Sequence, residues 1–408
     1  MRSRWTPGNP EQAVAAVNDA LVSGTRLELV GTGSRRGLGR PVEAEVELDL
    51  SGIAGVLSYE PEELILVVAP GTPMAEIRDL LARHRQYLAF EPPDYGPLWG
   101  SETGAGTIGG AILSGCNGPR RLVAGGARDH VLGVKGVNGF GESFRAGGRV
   151  VKNVTGFDVS KLITGSFGTL CVVTELTLKV LPVPAASSTL IVFGLDDDAA
   201  VTLMRRAAGE LPARVSAAAH LPGDTIANSI VEALLGSGTS ATLFRVDGFG
   251  PSVASRAQGL QAAMHGVGKT ALLEPTAADA VWEAVGAAQF FAGGDKPVWR
   301  ISVPPARGAA LGMQLAGLPG GRRFYDCAGG VVWTETESAA DAHEARVRTA
   351  LRDVAGDDGQ ATLMRAPETV RASVAPFQPR SAAVAALEER VRSLFDPDGL
   401  FNPGRMYA

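Results

Sequence analysis

Three glycine-rich stretches and one arginine carry the residues of this chain best suited to chemistry. GTGSRRGLG (31–39) follows a short apolar run, LELV (27–30). Successive backbone N–H groups in such a turn form a concavity that binds an anion, and Arg35 and Arg36 add positive charge. A tight strand connection accounts for the same glycines equally well. GAGTIG (104–109) matches the G-x-G-x-x-G dinucleotide pattern, with Asp129 lying 20 residues beyond Gly109. That pattern acts on a dinucleotide only where it follows a strand and opens a helix. DYGPLWGSET (94–103) precedes it and does not read as a strand. The better reading is a backbone bed, Thr107-Ile108-Gly109-Gly110, facing a large flat ligand. The run from 150 to 184 places Lys152, Asn153 and Asp158 in a polar turn before a strand that ends at Pro182. Arg300, in VWRISV (298–303), suits a bidentate clamp on a carboxylate. A structural ion pair is its alternative role.

Other chemistries find little support. Cys116, Cys171 and Cys327 are isolated, and Cys116 reads as a packed thiol. His84, His130, His220, His265 and His343 are scattered, without the spacing of a zinc site, so no metal is expected. No G-x-S-x-G elbow occurs.

These residues need elements to position them. Pro10 opens a helix with Val14, Val17 and Leu21 on one face, and Gly24 stops it. Strands follow at 27–30, 45–50 and 64–70, and a helix carries Ile77, Leu80 and Leu81. Residues 1 to about 85 therefore read as two α/β units with glycine turns after their strands. A hairpin is expected over 130–145, a short helix near 158–164, and a long strand in which Leu176, Leu178 and Val180 alternate. Pro182 and Pro184 mark a boundary. Beyond it, strands at 187–193, 214–220, 241–249 and 269–273 interleave with helices at 197–210 and 251–264. That is the ferredoxin-like β-α-β-β-α-β order. Further helices and strands fill 276–375, and a last helix spans about 381–395. No internal repeat is legible.

The bulk numbers are those of an ordinary globular chain of more than one domain: 408 residues, 45% hydrophobic and 20% charged. A net charge of −5 disfavours a nucleic-acid partner. No apolar window is long enough for a membrane span, and no apolar stretch follows the basic N-terminus as in a secretory signal. Three unpaired cysteines suit a reducing, cytoplasmic setting. Glycine is in excess, 52 residues where average usage predicts about 29. Much of it falls between residues 31 and 168, as expected where backbone must approach a ligand.

Taken together, separated segments resemble one family. GTIGG (106–110), GARDHVLGV (126–134), KNVTGFD (152–158) and GSFGTLCVVTE (165–175) are similar to the FAD-binding domain of the vanillyl-alcohol-oxidase-type flavoproteins. DPDGLFNPGRMY (396–407) resembles their C-terminal flavin-side motif. EPPDY (91–95), NGPRR (117–121), VWRIS (298–302) and NPGRMY (402–407) carry a closer resemblance to the FAD-binding subunits of bacterial glycolate oxidases.

The resemblance implies an α+β fold in three parts. A two-lobed FAD-binding domain would span 1–184, a ferredoxin-like α+β cap 185–375, and a C-terminal helix and tail returning to the flavin 376–408. Gly31, Thr32, Gly33, Ser34, Pro70, Gly71 and Thr72 would hold the pyrophosphate. Gly106, Thr107, Ile108, Gly109, Gly110, Ser114, Arg128, Asp129 and Asn402 would line the cofactor, Val173 and Thr174 would meet its adenine side, and the 152–158 turn would lie near the flavin. Ser34 and Arg35 stand where members with covalent FAD often carry histidine, which implies non-covalent FAD. The implied reaction is oxidation of glycolate to glyoxylate by hydride transfer to FAD. Electrons would then pass to an iron–sulfur subunit and on to a membrane acceptor. The implied partners are that subunit and a larger flavin subunit, with any contact at the inner face of the membrane made peripherally through them. Related dehydrogenases and the larger subunit carry an H-x-G-D-G-N-x-H metal motif that this chain lacks. A free-standing D-2-hydroxy-acid dehydrogenase using Arg300 on the carboxylate, or a non-catalytic structural subunit, are the alternatives.

Overall fold

The computed structural model describes residues 2–149, 157–211, 213–227, 232–233 and 239–407. Helix α1 (Pro10–Ser23) begins where the Asn9 side chain accepts the Gln12 N–H at 2.9 Å, and ends at Gly24, whose φ of 66° few other residues adopt. Its buried face is Ala13, Val17 and Ala20, one position round from the expected Val14 and Leu21. The two alanines let the helix lie close against its sheet, while the larger side chains lean to the rim.

The two expected α/β units belong to different sheets. Strands β1 (Ser3–Trp5), β2 (Leu27–Val30) and β3 (Val46–Asp49) form a small parallel sheet in the order β1-β3-β2. Strand β4 (Val56–Glu60), absent from the sequence reading, starts a second, antiparallel sheet with β5 (Ile65–Val68). β6 (Gln86–Tyr87) pairs elsewhere with β10 (Leu181–Pro182). The second sheet is completed by β7 (Val131–Val137), β8 (Ser143–Gly147) and β9 (Val172–Lys179), in the order β4-β5-β9-β7-β8. Helices α2 (Met74–Arg83), α3 (Ile108–Leu113) and α5 (Val159–Ile163) supply Ile77, Leu81, Ile108, Ile112 and Ile163 to its core. Between α3 and α5 lies one short turn of helix, α4 (Arg121–Ala124).

Residues 186–365 build one eight-stranded sheet. Strands β11 (Ala186–Phe193), β12 (Ala217–Leu221), β13 (Ala241–Gly248) and β14 (Lys269–Leu272), with helix α6 (Asp197–Gly209) and the helix 250–263, form the expected ferredoxin-like unit in the order β14-β11-β13-β12. The same plan then recurs. β15 (Val298–Ser302), β16 (Arg322–Asp326), β17 (Val331–Glu335) and β18 (Gln360–Arg365), with helices 308–316 and 344–355, stand in the order β16-β17-β15-β18. The two halves meet where β12 pairs β16, His220 opposite Tyr325. A repeat therefore exists in the fold that the sequence does not display.

A charged cluster joins this sheet to the N-terminal part of the chain. Arg120 donates to Glu91 at 2.6 Å and to Asp247 at 2.8 Å, and Arg245 donates to Glu91 at 2.9 Å. Burial raises the Asp247 carboxyl, but hydrogen bonds and charge from Arg120, with Arg245, outweigh it and leave it lowered to about 2. An unfolded aspartate titrates at about 3.9. The folded value is the lower one, so the contribution is complete above the unfolded value and is lost as pH falls towards 2. We expect an acid transition between about pH 4 and 2, followed by near-UV circular dichroism, that is flatter over that window in Asp247→Asn. An unchanged acid limb in the variant would show that Asp247 is not linked to folding.

Candidate flavin and substrate site

Three glycine-bearing segments converge in one cleft. The Gly109 N–H donates to the Pro70 carbonyl at 2.8 Å, Ile108 N–H to Thr72 at 3.0 Å, and Met74 N–H to Gly106 at 3.0 Å, which stitches segment 106–109 to the turn 70–74. Contact is as close as it can be. A Cβ on Gly109 would stand 2.8 Å from both Cβ and O of Pro70, and one on Gly31 would stand 2.9 Å from Thr107 Oγ1. Thr107 caps α3, its hydroxyl accepting the Gly110 N–H at 3.3 Å. The open side of the cleft is lined by Gly31, Thr32, Gly33, Ser34, Pro70, Gly71, Thr107, Gly109, Gly110, Ser114, Val173 and Asn402. Such a surface offers backbone rather than side chains, as an anion-binding concavity does.

Its electrostatics call for an anion. Arg35 and Arg405 both line the cleft, and the Nε of each is buried without a hydrogen-bond partner. Among the described residues, Arg35 donates only to Cys116 Sγ at 3.4 Å and the Pro93 carbonyl at 3.1 Å, and Arg405 only to the Arg35 carbonyl at 2.8 Å. Burial lowers Arg405 to about 10 against the pull of Glu28, with Arg371 and Arg36 adding to the lowering. Arg36 contributes less than its position suggests, because it is bound to Glu28 at 3.1 Å and also to Glu47. Two part-buried guanidiniums, each with a buried unpartnered Nε and no ion pair with a described carboxylate, favour a ligand that supplies negative charge.

A second chamber, of about 240 Å³, shares Ser114 and Phe167 with the cleft. One wall is the face of the eight-stranded sheet that carries Arg300 on β15 and Gln360, Thr362 and Met364 on β18. The opposite wall is Tyr95, Cys116, Asn117 and Arg121, and the C-terminal segment closes it with Phe377, Arg380 and Tyr407. Arg300 donates to Ser302 Oγ at 3.3 Å and lies 5.9 Å from the Trp333 ring centroid. It has no carboxylate within ion-pair distance among the described residues. The structural ion pair weighed for it from the sequence is therefore not what is observed.

The family description "FAD binding domain" matches residues 4–147. The chain is 32% identical over 402 residues to glycolate oxidase subunit GlcE of Escherichia coli K12, across 96% of this chain and 95% of that one. The chain belongs to this family of glycolate oxidase subunits. It is also 34% identical over 160 residues to glycolate oxidase subunit GlcD of Bacillus subtilis, across 39% of this chain and 32% of that one. Among solved structures, p-cresol methylhydroxylase with substrate bound superimposes with a TM-score of 0.74 at 16% identity, covering 98% of this chain and 88% of that one. The fold is that of the vanillyl-alcohol-oxidase-type flavoproteins, and the cofactor of this family member is FAD.

The cleft fits that cofactor: backbone segments from 31–34, 70–71 and 107–110, with Arg35 and Arg405, would hold its diphosphate. When bound, FAD supplies a two-electron acceptor. Six expected residues lie outside the lining. Thr72 is fully buried, its hydroxyl donating to the Ala69 carbonyl at 2.7 Å and accepting the Gly55 N–H at 2.9 Å. Gly106 and Ile108 are used in the stitch to 70–74, and Thr174 is buried in β9. Arg128 and Asp129 are exposed, with the Asp129 carboxylate accepting the Gly126 N–H at 2.8 Å. Asn402 reaches the lining, with φ of 44°, as a clip. Its Oδ1 accepts the Leu29 N–H at 2.8 Å and its Nδ2 donates to the Phe167 carbonyl at 2.7 Å. Of the expected polar turn, Lys152 and Asn153 lie outside the described residues, and Asp158 caps α5. Arg405 was missed, although it stands in the NPGRMY segment; only the folded structure shows it unpaired.

Proposed function

We propose that the chain is the FAD-binding subunit of a glycolate-oxidising enzyme, converting this 2-hydroxy acid to glyoxylate with FAD held non-covalently. The observation that carries this reading is Arg300, half-buried and in no ion pair with a described carboxylate, on the wall of a chamber that shares Ser114 and Phe167 with the flavin cleft. Arg300 binds the substrate carboxylate through a planar fork, which fixes the reacting carbon relative to Ser114 and Phe167 at the junction of the two chambers. The sheet face and the C-terminal segment wall it on two sides. A larger flavin subunit and an iron–sulfur subunit would be the partners that receive the electrons. No helix among the described residues is long and apolar enough to cross a membrane, so membrane contact would run through those partners. A purely structural subunit has no evident use for two part-buried arginines that make no ion pair with a described carboxylate.

The test is an anaerobic visible spectrum of the FAD-loaded chain before and after glycolate, alone and with the larger subunit. Bleaching of the single chain is expected, with Arg300→Gln raising the half-saturating glycolate concentration about 10- to 100-fold, the value of a charge-assisted hydrogen bond. Flavin that stays oxidised until the larger subunit is added would make this chain an electron relay. Bleaching by D-lactate at least as readily as by glycolate would favour the free-standing dehydrogenase.

A further inference from the structure

From the charges lining the second chamber we infer that it takes a 2-hydroxy acid with two carboxylates, the second held by Arg121. This rests on the reading of Arg300 above and extends its substrate class. The chamber lining contains three arginines and no carboxylate. Arg380 is already engaged, donating to Glu388 at 3.1 Å and to Gln360 at 2.8 Å. Arg300 has only the Ser302 hydroxyl and the Trp333 ring, and Arg121 makes no side-chain hydrogen bond or ion pair with a described residue. The two belong to opposite walls, β15 of the eight-stranded sheet and α4 of the N-terminal part, and both line the same chamber. Asp326, the carboxyl that feels Arg300, is buried outside the lining, accepts the Cys327 N–H at 2.6 Å and is raised to about 6 by its burial.

A monocarboxylate on Arg300 leaves Arg121 without an anion. A dicarboxylate satisfies both guanidiniums at once, with its second carboxylate at the wetter end, since Arg121 is exposed where Arg300 is half-buried. A chamber of about 240 Å³ has room beyond a two-carbon acid. The carbon skeleton would run between Cys116 and Asn117 on one side and Thr362 and Met364 on the other, so selectivity for acid length is set by the separation of the two arginines rather than by either one.

The experiment uses the FAD-loaded full chain and redox-inert probes, acetate and malonate, followed by the difference spectrum of the oxidised flavin. Malonate is expected to bind about tenfold or more tighter than acetate at low ionic strength. Arg121→Gln is expected to remove most of that ratio and Arg121→Lys to restore part of it, whereas Arg300→Gln weakens both probes. Flavin retention reports that each variant has folded. A malonate-to-acetate ratio near one in the unaltered chain, or a ratio that survives Arg121→Gln, overturns the inference while leaving Arg300 as the monocarboxylate ligand. If neither probe perturbs the flavin, the reading of the chamber itself fails, and with it the inference.

Discussion

Replacing Gly109 by alanine is expected to strip the chain of flavin while the eight-stranded sheet stays folded. The added Cβ would stand 2.8 Å from the Pro70 carbonyl oxygen and 2.8 Å from its Cβ, and the Gly109 N–H is already bound to that same carbonyl at 2.8 Å. Neither neighbour is a rotatable side-chain end, so relief requires segment 107–110 to back away from 70–71. Overpacking of this kind costs about 1–3 kcal/mol. Here the movement opens the bed whose three segments must hold one ligand together, so the cost falls on cofactor binding, equivalent to about a 5- to 150-fold rise in Kd. Flavin absorbance per chain after gel filtration, and FAD titration of the apoprotein, measure it. Gly104→Ala is the control: its φ of 82° makes alanine locally strained, but nothing lies within 4 Å of the new methyl. It is expected to retain flavin. Full flavin content in Gly109→Ala would mean that the contact between the two segments does not shape the bed.

How much of this was readable in advance depends on whether the deciding contact is local. The strand 65–68 is buried at every position, and a run of Ile, Leu and Val shows that directly. The G-x-G-x-x-G match was set aside because no strand precedes it, and a 3₁₀ turn at Pro97–Trp99 and irregular chain stand there. The fate of Arg36 was not local. Glu28 and Glu47 face each other in register on the parallel strands β2 and β3, a like-charge pair that is destabilising alone. Arg36 bridges the two, with Arg2 also on Glu28 and Arg4 also on Glu47, so one of the two arginines of the glycine turn is largely consumed by the sheet, and Arg405, 370 residues from Arg35, joins Arg35 in the cleft. The strand 56–60 escaped notice because two of its five residues are exposed and none is fully buried, and a bulge between Val56 and Ser58 breaks its alternation. The duplicated unit escaped for a related reason: the strand order β-α-β-β-α-β needs only matching periodicities, which leave no shared residues to compare.

The largest loss of stability is expected at Arg365. Its guanidinium is buried, and burial lowers its pKa against the pull of Glu335. It donates to Glu335 at 2.7 Å, to the Lys296 carbonyl at 2.7 Å, to the Leu98 carbonyl at 3.2 Å and to the Phe291 carbonyl. Arg365→Met removes the cation and leaves those acceptors in a dry interior. Glu335 keeps Arg322, which is one-third exposed and holds its other oxygen at 2.5 Å. Breaking a buried pair from one side costs about 3–5 kcal/mol, a large part of the roughly 5–15 kcal/mol that folded domains possess. A drop in melting temperature of about 6–15 °C is expected by calorimetry. Lysine at the same position keeps the charge but not the planar fork, so it is expected to recover less than half of the loss. The damage should also reach the cofactor. Leu98 belongs to the turn whose Trp99 donates to the Met364 carbonyl at 2.5 Å, and Gly37 of the 31–39 loop is packed so closely on Trp99 that a Cβ there would stand 2.7 Å from the ring. The chain of contacts from β18 through Trp99 to the glycine loop means that Arg365→Met should weaken FAD binding as well as stability. By contrast the exposed pair Arg392 and Glu389 should contribute under about 0.5 kcal/mol, as such helix-surface pairs do. A melting temperature within one or two degrees for both Arg365→Met and Glu389→Gln would show that the buried acceptors find water in place of the guanidinium, and that the sheet holds the flavin loop without it.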